Sequence, residues 1–208
     1  MQHINPTGSS ARHGAARLRL DPSLFYDPPY ERPLEDTFIW HLIKYLNPVD
    51  AVLYQARAVT PCAPCWVDFV VEQNGRRIAF EIGDLEAGAD ERQEALRDAL
   101  VVGSGAVDTL YRLRGADVLE HPHEVLHLIA RWEPGLFSHR GHVNLRTLAA
   151  PAVRDADPGP DADVVHVVLD DEADVLVRRY SRTAPATWVN RYDEALAVFD
   201  APRPARSA

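Results

Sequence analysis

A chain of 208 residues, 46% of them apolar, suits one α/β domain with an appendage and is apolar enough to form a core. Its formal charge of -9 excludes a generally basic nucleic-acid surface, and Lys44 is its only lysine among many arginines. Two cysteines, Cys62 and Cys65, exclude a disulfide framework, and no apolar run reaches the ~18 residues of a membrane span. The N-terminus, MQHINPTGSSARHG, has no apolar stretch of the secretory kind, so a cytoplasmic protein with no membrane partner is expected.

In chain order, residues 1–28 read as a disordered lead-in rich in Gly, Ser and Pro. A helix is predicted over about Leu34–Leu46, stopped by Asn47-Pro48, followed by an apolar stretch near Ala51–Ala58. Strands are predicted at Trp66–Glu72 and Arg77–Gly83 around an Asn74-Gly75 turn. Both turn residues tolerate the positive φ of a type I′ hairpin. A helix over Asp90–Val102, a strand over Val107–Leu113 and a helix over Pro122–Trp132 complete the core, 29–150. A linker rich in Pro, Asp and Gly (151–163) then separates a small hairpin-plus-helix appendage (164–200) from the core, and 201–208 reads as a disordered tail.

The turn sets the register of the hairpin. Gln73 faces Arg76, and counting outward pairs Val71 with Ile78, Phe69 with Phe80 and Val67 with Ile82 on one apolar face. The other face pairs Val70 with Ala79, Asp68 with Glu81 and Trp66 with Gly83. Two carboxylates directly opposite each other, ~5 Å apart at Cβ, repel unless something compensates. A bound Mg²⁺ or Mn²⁺ would do so, since hard cations take oxygen ligands. The bland alternative is a solvated face with one acid paired to an arginine. Glu35 lies on the apolar stripe of the first helix with Ile39, Leu42 and Leu46. It either reaches the same metal site or is a first-turn acid favoured by the helix dipole.

VDFVV, the NG turn, AFEIGD, the RDAL helix and the strand LYRL, in that order, resemble the PD-(D/E)XK nuclease superfamily. The likeness is to its branch containing very-short-patch-repair endonucleases, and the matching residues are Asp68-Phe69, Glu81, Arg97-Asp98 and Leu110–Leu113. It covers about half the chain. It implies a restriction-endonuclease-like mixed β-sheet flanked by helices and a metal-dependent endonuclease hydrolysing DNA phosphodiesters. By the same resemblance Asp68, Glu81 and the main chain at Ile82 hold Mg or Mn, with Glu35 assisting. The motif's third position, usually Lys, is Gly83, which leaves Asp84 or Arg97 to serve nearby or leaves a fold that has lost catalysis. DNA is therefore the expected partner, with the acidic charge counting against it. A catalytically degenerate module binding DNA, a protein partner or a second copy is the rival.

Cys62-Ala-Pro-Cys65 resembles a redox tetrapeptide, yet a strand rather than a helix follows it. A zinc set would have to draw on His121 and His123, whose spacing is unusual for one. VVLDDEAD imitates the acidic box of a nucleotide-driven helicase, but no phosphate-cradling GxxxxGK loop precedes it.

Overall fold

The structure, a computed structural model, describes residues 18–19, 33–47, 52–60, 64–83, 89–184 and 188–199. The expected lead-in (apart from 18–19), the tail, Cys62 and Asp84 lie outside the described residues.

The strands are β1 (Leu18–Arg19), β2 (Val52–Val59), β3 (Pro64–Gln73), β4 (Arg76–Gly83), β5 (Thr109–Arg114), β6 (Val164–Val168) and β7 (Asp174–Ser181). They form one mixed sheet in the order β1-β2-β3-β4-β5-β7-β6. β4 and β5 are parallel and the other pairings antiparallel. The parallel pair needs a crossover, supplied by helix α2 (Ala89–Gly103). The other helices are α1 (Pro33–Tyr45), α3 (Gly115–Glu120), α4 (Pro122–Trp132), α5 (His139–Leu148), α6 (Pro151–Asp155) and α7 (Val189–Phe199).

Both faces of the sheet are covered, as an α/β fold requires. On one face Phe69, Val71, Ile78, Phe80 and Ile82 pack with Phe38, Ile39 and Leu42 of α1 and Leu126 and Ile129 of α4. On the other, Val70, Ala79 and Leu110 pack with Val101 and Val102 of α2. Leu96 and Leu100 of the same helix pack with Ala195 of α7. Helix α2 is therefore sandwiched between the sheet and α7.

The C-terminal hairpin and helix form where the sequence places them, but they are not set apart. β7 pairs with β5 along Thr109–Leu113 and so extends the central sheet, and α7 lies on α2. The segment read as a linker contains α6, whose Val153 is wholly buried. Pro, Asp and Gly there mark tight turns at the sheet's edge rather than a boundary between domains.

Asn74 and Gly75 have φ of +52° and +75°, as a type I′ turn requires. A Cβ at position 75 would meet no atom within 4 Å, so a substitution there tests backbone strain without a clash. Gly75→Ala is expected to lower stability by about 1 kcal/mol, read from the urea midpoint at unchanged m-value.

Candidate functional site

Hairpin register is as counted from Gln73↔Arg76 to Phe69↔Phe80, and there the β3–β4 ladder ends. The cause is on the other side of β3. Tyr54 pairs with Val70 and Ala56 with Val67, so β3 carries one residue more than β2 across Asp68–Phe69. Such a bulge bends a strand and re-aims its side chains. It shifts Val67 onto the α2 face, where it packs with Val70 and Ala79. The expected Val67–Ile82 core pair and Trp66–Gly83 pair are thereby corrected: Ile82 belongs to the opposite cluster, and Trp66 is 64% exposed.

Beyond the ladder the two carboxylates bridge the strands themselves. Asp68 Oδ2 accepts the Ile82 N–H at 2.7 Å, and Glu81 Oε2 accepts the Asp68 N–H at 3.2 Å. The pair is brought together as expected, through side chains rather than through continued backbone pairing. A carboxylate taking a strand N–H replaces the lost ladder bond with a charge-assisted one.

Glu81 is almost covered, its side chain 12% exposed, because α2 lies over this face. Arg97 of that helix reaches Glu81 Oε1 at 3.2 Å and donates to the Trp66 carbonyl. The expectation of an arginine partner for one acid is met, but on a covered face rather than a solvated one. The next residue of the helix, Asp98, grips Arg112 of β5 with two bonds of 2.7 Å, and Glu94 lies 3.3 Å from the same guanidinium. Arg112 sits beside Glu81 in the parallel register.

Burial pushes the Glu81 carboxyl from 4.5 up to about 7, with the Asp68 charge adding to it and Arg97 and Arg112 opposing. A carboxyl poised near neutrality can take or give a proton at the pH where it works. The two neighbouring carboxylates offer oxygen donors, the kind that hard divalent cations take. Each carboxylate oxygen that accepts a backbone N–H retains a second lone pair.

Glu35 is buried in the first turn of α1, so the solvated reading does not hold for it. It does not complete a set with Asp68 and Glu81: among the described residues no three His, Cys, Asp or Glu side chains are grouped to hold a metal. That same absence covers Cys65 with His121 and His123. Lys44 lies over the rings of Trp40 and Tyr45, away from the hairpin acids. Asp98 and Arg112 lie in the segments Arg97-Asp98 and Leu110–Leu113 that carry the resemblance, but their pairing with each other was not expected. The signal for them was an arginine inside the apolar strand TLYRLR, since a buried guanidinium demands a buried acid. Compared with known protein families, curated proteins and solved structures, the chain matches none.

The sign of the Glu81 effect follows from its raised value. The folded state binds its proton more readily than the unfolded chain, so this contribution is fully present below about 4.5 and is lost as pH rises through about 7. Relative to wild type, Glu81→Gln should therefore gain stability between pH 5 and pH 8, by up to a few kcal/mol. Urea unfolding at the two pH values measures it, and a constant difference would contradict the raised value.

Proposed function

We propose that the chain is a divalent-cation-dependent nuclease acting on DNA phosphodiester bonds, with Asp68 and Glu81 at its centre. The observation that carries this reading is the meeting of the two carboxylates at the β3 bulge, one of them titrating near neutrality. Its support from family is the motif resemblance alone; the established part is the mixed sheet with flanking helices.

In this reading Asp68, Glu81 and the Ile82 carbonyl hold Mg²⁺ or Mn²⁺. Bound there, the ion supplies Lewis acidity to a phosphoryl oxygen. The Asp68 carboxylate is held in place by the Ile82 N–H, so it is already oriented before any ligand arrives. Glu81, raised to about 7 by burial and the Asp68 charge, gives up its proton when the ion binds. Arg97, about a third exposed, exchanges Glu81 for the phosphate and offsets its charge. The exposed ring of Trp66 borders the same edge, where an unpaired base can stack.

A second reading rests on the same contacts. Asp68 and Glu81 each bond a strand N–H, and Glu81 is paired with Arg97, so the acids serve the fold without any ion. Gly83 in the position of the usual lysine agrees with a module that binds without cutting.

Purified protein is expected to nick supercoiled plasmid with Mn²⁺ or Mg²⁺, and Asp68→Asn should reduce the rate by about a hundredfold or more. Cleavage unchanged by that substitution would end the assignment, and cleavage by neither protein would favour the binding module. A Cβ at Gly83 would meet nothing within 4 Å, so Gly83→Lys fits there. In an active enzyme it should raise the rate by at least about tenfold.

A further inference from the structure

At the opposite end of β4 lies a cavity of about 380 Å³, lined by Arg76, Arg131 and Arg179 together with Trp132, Glu133 and Asp157. Arg76 opens β4 and Glu81 lies five residues along it, about 16 Å away at ~3.3 Å per residue, so this cavity is separate from the acid pair.

Three guanidiniums around one cavity are unexpected in a chain of charge -9. Two have carboxylate partners: Arg76 takes Glu133 with two bonds of 2.6 and 3.1 Å, and Arg131 takes Asp157 at 2.9 Å. The third, Arg179, is 5% exposed, lies over the Trp132 ring and donates from Nη2 to the Pro160 carbonyl. Its buried Nε–H has no acceptor. Leaving such a donor unmet costs about 1–3 kcal/mol, more on a charged group, so a native site that keeps one calls for an acceptor.

The partners differ in how firmly they are held. Glu133 is 6% exposed, its Oε1 near the Tyr111 hydroxyl at 3.4 Å. Asp157 is 82% exposed, on a pair that water screens. An incoming anion therefore displaces Asp157 and leaves Glu133 in place. With Asp157 displaced, three arginines and one glutamate give the lining a local charge of +2, which matches a phosphate monoester dianion better than a carboxylate. The volume admits a small organic body beyond the phosphate.

We propose that this cavity is a binding site for a phosphate monoester, held by Arg179 and Arg131 with Arg76 buttressed by Glu133. Inorganic phosphate and a nucleotide's terminal phosphate share the recognising chemistry, and the experiment separates them.

Calorimetric titration of the full chain with inorganic phosphate, a nucleoside 5′-monophosphate and acetate is the test. Phosphate should bind, acetate should bind at least about tenfold more weakly, and a nucleotide tighter than phosphate would identify the larger ligand. Arg131→Ala, at a half-exposed position that spares the core, should weaken phosphate by about tenfold. Asp157→Asn should tighten it severalfold, because the competing carboxylate is gone. Arg179→Lys, judged only if its thermal melt shows a folded protein, should also weaken it. No phosphate binding at concentrations up to about 10 mM, equal binding of acetate, or an Asp157→Asn variant that binds no tighter would each overturn the proposal. None of these results depends on whether Asp68 and Glu81 support cleavage.

Discussion

The bond from the Ile82 N–H to Asp68 Oδ2 is the constraint on which the candidate site depends. It exists because β3 carries an extra residue across Asp68–Phe69, which ends the ladder to β4 and leaves a strand donor to be satisfied. A buried N–H without an acceptor would be costly, and the nearest carboxylate takes it. Glu81 does the same for Asp68 N–H from the other strand. The hairpin turn brings the two acids to one level, and the bulge decides what they bind there. Neither feature alone builds the site.

Electrostatic balance around the pair is set by α2. Its Asp98 and Glu94 engage Arg112, so the cation closest to Glu81 in the sheet is already committed to other acids. What remains against Glu81 is Arg97, which divides itself between that carboxylate and the Trp66 carbonyl and is partly open to water. Burial and the neighbouring Asp68 therefore prevail, and the carboxyl rises to about 7. Replacing Arg112–Asp98 by apolar residues would remove a buried ion pair whose desolvation offsets much of its attraction. It would also remove the restraint that holds the Arg97 turn of the helix over β4.

Features legible in the sequence were those written in adjacent residues. Asn74-Gly75 announced the hairpin, and strand and helix spans around it fall within a few residues of those observed. The bulge was illegible because it is a mismatch between β3 and β2, visible only once the third strand is in place. The joining of β7 to β5 was hidden for the same reason: it pairs residues such as Thr109 and Ser181, far apart in the chain, across a turn-rich stretch that resembles a linker. Helix α5 escaped notice because its sequence, HRGHVNLRTL, buries only Gly141 and Leu145 and so has little apolar period. Arg112 was readable in principle, since a charge within TLYRLR must be answered from a facing element, but which acid answers it depends on the α2 docking.

The same geometry ties cation, phosphate and proton together under the proposed reading. Holding a cation requires Glu81 to be ionised, so near pH 7 its loading releases a proton and weakens as the solution becomes more acidic. A phosphate that draws Arg97 away removes the strongest attraction lowering the Glu81 value, which by itself drives that carboxyl toward its protonated form. A cation on Asp68 and Glu81 replaces the attraction that Arg97 withdraws and keeps the carboxyl ionised, so cation and phosphate each favour the other's binding. Because such coupling is reciprocal, the loaded pair frees Arg97 for phosphate as much as phosphate depends on the loaded pair. In this reading the two ligands are coupled through one arginine that two anions share.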